Sequence, residues 1–223
     1  METFFYISLD KLSLCVFEDI DKKIFEKEIL IKKNSDNLLN EFLGENIIKV
    51  EKKFGKFINE INLIIFDPNF VSIQASIKKN GKGDKIDKTD LNRMLFELKQ
   101  EIKENNTDKT ITYMRIDNFI LDKKKYLTLQ DDFVCNELCL QVDFIFLSKK
   151  VIDDLSKKIK KYQISIGKIF SGEYLNKFCI ENGEDECQAA AKLKYGNDEN
   201  EVHLIKKTTI NNGFFERFFR FFN

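Results

Sequence analysis

The sequence predicts a mixed α/β (α+β) fold, and two periodic patterns predict it. Over residues 137–147, Leu138, Leu140, Val142, Phe144 and Phe146 alternate with the opposite face, the period of a strand with a buried side. Leu38, Leu39, Phe42, Leu43, Ile47, Val50, Phe54 and Phe57 recur at spacings of one, three and four, the apolar stripe of a helix. The two periods interleave along the chain, so helices fall between strands.

In order, residues 4–8, 12–17 and 25–32 read as strands, rich in β-branched and aromatic residues between charged turns. The helical stripe follows, with Gly44 as a point of bending and Gly55 as its end. Residues 61–66 and 70–77 are the next strands. Gly81 and Gly83 then break the pattern, and Asp87 is placed to cap a helix, with Asp90 three residues on. Leu91, Leu95, Leu98 and Ile102 form its buried side. Strands are expected at 110–116 and 118–121, then at 137–147. Ser148 is placed to cap a helix that buries Val151, Ile152, Leu155, Ile159 and Tyr162. A strand at 165–170, a short helical piece around 174–178 and a short helix at 188–195 complete the series.

Lys plus Arg and Asp plus Glu number 37 each, so there is no general attraction to nucleic acid, and no nucleic-acid partner is expected. Five scattered cysteines fit reduced thiols better than a disulfide framework. Cys135 and Cys139 with the single histidine, His203, do not make a zinc ligand set, so no metal is expected. No basic lead or cleavage site precedes the first apolar stretch, which Glu2 and Asp10 bracket. No apolar run approaches the ~20 residues needed to span a bilayer.

Residues 196–212 are polar without sustained periodicity and read as a flexible linker. Residues 213–223 contain six phenylalanines: Phe214, Phe215, Phe218, Phe219, Phe221 and Phe222. On a helical wheel Glu216, Arg217 and Arg220 share one arc and the phenylalanines fill the remainder. Full burial of one Phe gains roughly 1.5–3 kcal/mol, so a third of that over six rings gives about 3–6 kcal/mol before the ordering cost. That matches an interfacial helix with reversible attachment, aided by Arg217 and Arg220 at anionic headgroups. Packing back on the body and docking in a partner's groove are the other two dispositions such a segment has.

Several segments resemble the bacterial cell-division protein FtsA, of the actin-like family. Ile86-Asp87-Lys88-Thr89-Asp90-Leu91 is similar to the start of the helix opening that family's inserted subdomain. Residues 111–122 resemble its strand pair, with Phe119-Ile120-Leu121-Asp122 in place of a Tyr-x-Leu-Asp type. Residues 138–170 resemble its long strand, helix and return strand, and residues 50–77 its helix and following strand pair. Residues 189–196 resemble the alanine-rich Tyr-Gly segment before its tether, and Gly213-Phe214-Phe215 the start of its membrane helix.

The resemblance implies an incomplete actin-like (ribonuclease H-like) first lobe with an inserted strand-helix-strand-strand subdomain and a C-terminal amphipathic helix. It divides the chain into a first-lobe portion (1–82), the inserted subdomain (83–170), a short helical return (171–195), the linker (196–212) and the membrane helix (213–223). The implied role is a peripheral adaptor of cell division at the cytoplasmic face of the inner membrane. Its implied partners are the lipid surface, division proteins and further copies of itself through exposed strand edges.

Two departures narrow that expectation. The family's first phosphate loop carries glycine, whereas Leu9-Asp10-Lys11-Leu12-Ser13-Leu14 has none and sets bulky Leu12 where amides approach phosphate. The second lobe, which supplies the adenosine pocket and the grip on the tubulin-like protein FtsZ, has no counterpart in this sequence. No ATP or other cofactor, no enzymatic activity and no direct hold on FtsZ are therefore expected. The alternative is an actin-like ATP-binding protein of division or of type IV pilus assembly. Asp131-Asp132 and Asp153-Asp154 read as solvated faces, as do Lys157, Lys158, Lys160 and Lys161, whose other use is at lipid headgroups or an acidic peptide.

Overall fold

A computed structural model describes residues 1–31, 36–68, 70–128, 133–196, 198 and 200–202. The chain opens with β1 (Glu2–Ile7), β2 (Lys11–Asp19) and β3 (Lys22–Leu30), an antiparallel meander. Helix α1 (Asp36–Phe54) crosses over to β4 (Glu60–Ile65), which pairs parallel with β1. There follow β5 (Val71–Asn80), the short β6 (Lys85–Ile86), α2 (Lys88–Glu104), β7 (Lys109–Leu121), β8 (Lys124–Tyr126), β9 (Phe133–Val134) and β10 (Glu137–Ser148). Helix α3 (Lys149–Lys160) returns the chain to β11 (Ser165–Ser171), parallel to β4. Helices α4 (Gly172–Asn182) and α5 (Glu186–Lys194) complete the described fold.

The first sheet has the order β11-β4-β1-β2-β3, with β2 alone running against the other four. That arrangement, a meander continued by two parallel crossover strands, is an actin-like (ribonuclease H-like) lobe. Both of its faces are covered, so the central strands are buried almost continuously. Phe5, Leu12, Leu14, Val16, Leu63 and Ile65 meet α1 and α3 on one side. Phe4, Tyr6, Cys15, Phe17 and Ile64 meet α4 and α5 on the other. Ala189, Ala190 and Ala191 have no exposed surface, and their small side chains let α5 lie close to the sheet.

The second sheet, β5-β10-β7-β8, lies between β4 and α3 in the sequence and packs one face on α2. It begins at Val71, so β5, which the sequence reading places with the first lobe, belongs here. It ends at Ser148, and α3 and β11 return to the first sheet rather than extending the inserted unit to 170.

The two strands expected at 110–116 and 118–121 are one, β7. Its register against β10 shifts twice, leaving Thr112 and Asp117 as extra residues. Each shift flips the side-chain parity, which is why Ile111, then Met114 and Ile116, then Phe119 and Leu121 all reach the same core. The alternation therefore breaks at Asp117 although the strand continues.

Asp87 caps α2 as expected, accepting from the Asp90 amide at 2.9 Å. Ser148 does not use its side chain to cap α3; the Lys149 amide donates instead to the Asp108 carbonyl at 3.0 Å. Gly44 lies inside α1, which runs unbroken from Asp36 to Phe54. A β-carbon there would lie 3.0 Å from the Tyr162 hydroxyl, which bonds the Asn40 carbonyl at 2.8 Å. Gly55 ends α1 at φ +63°, and Phe57 beyond it is 81% exposed instead of buried. At Gly81 a β-carbon would stand 2.3 Å from the Cys135 carbonyl oxygen, so the turn into β6 requires glycine.

Candidate functional site

The first hairpin turn, where an actin-like lobe would meet phosphate, is closed on itself. Ser8 donates from its hydroxyl to Asp10 at 2.6 Å and accepts the Lys11 amide at 3.0 Å. The Ser8 amide donates to the Lys11 carbonyl at 2.9 Å. The Ser8 hydroxyl, with the local backbone, holds the Asp10 carboxyl below its ordinary range. None of Leu9, Asp10 and Lys11 has positive φ, so their amides do not converge into an anion nest. At the carboxyl ends of β1, β4 and β11, where such sheets take ligands, the Phe66 ring lies against Gly172 and 5.2 Å from the Tyr6 ring. The residues present do not fit a bound nucleotide.

A cleft of about 260 Å³ opens between the outer face of the second sheet and the start of α4. Tyr113, Arg115, Asp143 and Ile145 line it from the sheet, Ser171 and Tyr174 from the first lobe. At its side the segment after α5 returns to the body. The Asp198 carboxylate accepts from the Tyr113 hydroxyl at 2.7 Å and the Tyr174 hydroxyl at 2.6 Å, and pairs with Arg115 Nε at 3.0 Å. Burial alone would raise that carboxyl. The two phenols, the Asn200 amide and the Arg115 guanidinium outweigh burial and hold it low. Burial and the adjoining carboxylate push both phenols upward in turn.

Within the linker expected from 196, Asp198 and residues 200–202 are therefore bonded to the body. The Ile116 amide donates to the Asn200 carbonyl, and the Val202 amide to the Met114 carbonyl, both at 2.9 Å. Glu201 pairs with Lys168 and forms a bridge with Arg115.

The sequence-predicted membrane residues, Phe214, Phe215, Arg217, Phe218, Phe219, Arg220, Phe221 and Phe222, lie outside the described residues, as do His203 and Asp131-Asp132. Asp153 and Asp154 are exposed on α3. Lys157, Lys160 and Lys161 are exposed there too, and Lys158 is half-buried. Among the described residues no group of three or more His, Cys, Asp or Glu is arranged to hold a metal ion. Burial raises the Cys135 thiol and pushes Cys179 up to about 11, and a thiol hydrogen bond with Cys15, together with burial, raises Cys187, the opposite of nucleophile activation.

Sequence reasoning missed the Tyr113-Arg115-Tyr174-Asp198 group. Its members come from three elements up to 85 residues apart, a separation that no local spacing encodes. The acidic run beginning at Asp198 after Gly196 was the one available signal.

No protein-family model and no curated protein matches the sequence. Among solved structures the chain is similar to a PilM-PilN type IV pilus biogenesis complex, at 6% identity and a TM-score of 0.48, covering 82% of this chain and 50% of that one. It is also similar to the cytoplasmic domain of EpsL, an inner membrane component of the type II secretion system of Vibrio cholerae. There the identity is 10% and the TM-score 0.38, with 78% of this chain and 57% of that one covered. The chain thus spans about half the length of the structures it resembles. By its own strand order it carries an actin-like lobe, with a second sheet inserted between the two crossover strands.

Proposed function

We propose that the chain is a non-enzymatic adaptor at the cytoplasmic face of a bacterial inner membrane, held there by residues 213–223. The observation that carries this reading is the separation of six phenylalanines from Glu216, Arg217 and Arg220 on one helical wheel. No described helix is long and apolar enough to cross a membrane, so the attachment proposed is interfacial. The closed Ser8–Lys11 turn and the Phe66 ring on Gly172 support a lobe that works by contact rather than by nucleotide turnover. The resemblance to FtsA supplies the finer role, an adaptor of cell division, with the inserted sheet as the surface offered to other division proteins. Assembly of a type IV pilus is the alternative, and neighbouring genes for division or for pili discriminate the two.

Co-sedimentation with liposomes containing anionic lipid tests the anchor. The intact chain is expected to pellet with vesicles and a chain ending at Asn212 to stay in the supernatant; equal pelleting overturns the proposal. Titration with a fluorescent ATP analogue tests the adaptor reading separately. Magnesium-dependent, saturable binding would contradict it, and a flat titration is expected.

A further inference from the structure

The second sheet has an edge that is filled by this chain itself. Along β7, β10 pairs one side throughout, whereas β8 pairs the other side only at Phe119–Leu121. Residues 200–202 occupy the next stretch of that edge as a short antiparallel addition at Arg115. Two carboxylates three residues apart serve the addition, Asp198 just before it and Glu201 at its centre. Asp198 is taken by Arg115 and the Tyr113 and Tyr174 hydroxyls, and Glu201 by Lys168. The Lys168 ammonium also stands 5.5 Å over the Tyr113 ring, and the two tyrosine rings lie 4.6 Å apart. Basic and phenolic groups from β7, β11 and α4 therefore converge on the acids of one extended segment.

We infer that this edge of β7, with Arg115, Tyr113, Tyr174 and Lys168, is a strand-addition site for an extended acidic segment, closed in cis by Asp198 and residues 200–202. Main-chain bonds supply register and the two carboxylates supply selection, the division of labour that strand addition uses. The occupying segment is separable from the body behind it. Gly196, at φ +89°, turns the chain out of α5 before Asp198 is reached. Val202 is the apolar residue among the described residues of the segment, and it only rests against the second core. The hold is thus chiefly polar, and a segment of the same chemistry competes for it.

The test needs no lipid, so its outcome is independent of membrane attachment. A labelled peptide of residues 196–204 is titrated into the full-length chain and two variants by fluorescence anisotropy. Amide hydrogen exchange is followed in parallel over 109–121, with β1 as the folding control. Wild type is expected to protect the Ile116 amide and to ignore the peptide. Asp198→Asn with Glu201→Gln is expected to speed exchange at Ile116 by about 10- to 100-fold, as loss of charge-assisted bonds implies, and to bind the peptide. Adding Arg115→Gln to the double variant keeps the edge open and is expected to abolish peptide binding. The site is overturned if the double variant keeps wild-type protection at Ile116, or opens without binding the peptide, or if the triple variant binds as well as the double variant.

Discussion

Phe5→Ala is expected to lower the unfolding free energy by about 3–5 kcal/mol, the range for truncating a buried aromatic. Phe5 sits in β1, the middle strand of the first sheet, with no exposed surface. Its ring stacks on Phe42 of α1 at 6.0 Å and 19°, among Leu14, Leu63 and Val50. Neighbours on the strand and the helix are both fully packed, so little collapse into the void is available, and the cavity adds to the lost transfer energy. Against a total of roughly 5–15 kcal/mol for a native domain, that is a large share. Phe57→Ala removes the same ring from an 81% exposed position and is expected to change stability by no more than about 0.5 kcal/mol. Urea denaturation of both variants checks the pair. Equal shifts in midpoint would mean that the stripe of α1 buries Phe57 after all.

That contrast marks what the sequence could express. Apolar periodicity places α1, α2 and α3 because each carries an apolar stripe to a core, and β10 because it alternates from Leu138 to Phe144 before its other face is buried as well at Ile145 and Leu147. It runs on through Phe57 because a stripe does not show where Gly55 stops the helix. Strands buried on both faces, such as β1 and β2, lose their alternation, yet their β-branched and aromatic content still reveals them. The failures lie where tertiary contacts replace local ones. Asp117 is a bulge that reads as a break between strands, and Ser148 lacks a capping role because Asp108, forty residues earlier by its number, already takes the first amide. The polar segment after α5 reads as a linker because nothing near it in sequence shows that Arg115 and two tyrosines await its acids. Polar composition reports solubility of a segment, not whether its charges find partners.

Acid is expected to release Asp198 and residues 200–202 before it unfolds the lobe. Asp198 has a folded-state pKa below its unfolded value, so its contribution is fully present above the unfolded pKa of about 3.9 and is lost as pH falls through the folded one. The groups facing it are Tyr113 and Arg115 from β7 and Tyr174 from α4, with Lys168 from β11 over the Tyr113 ring. The two phenols and the Arg115 guanidinium are all raised, so none of these three titrates in the acid range, and Asp198 carries the change. Protonation turns an acceptor shared by two phenols and a guanidinium into a neutral acid in a site only 7% exposed. Losing such charge-assisted bonds costs about 1.5–3 kcal/mol, or roughly 10- to 100-fold in the opening equilibrium. Hydrogen exchange at Ile116 and Val202, corrected for intrinsic rates, should therefore accelerate as pH falls below about 4, the unfolded carboxyl value, while the Phe5 amide in β1 stays protected. Asp198→Asn should show the fast exchange already at pH 7 and no further acid step at these two amides. If wild type and Asp198→Asn follow the same acid profile, the carboxylate is not what holds the segment. In that case Glu201 with Lys168, or the two main-chain bonds alone, would be sufficient to keep the β7 edge closed.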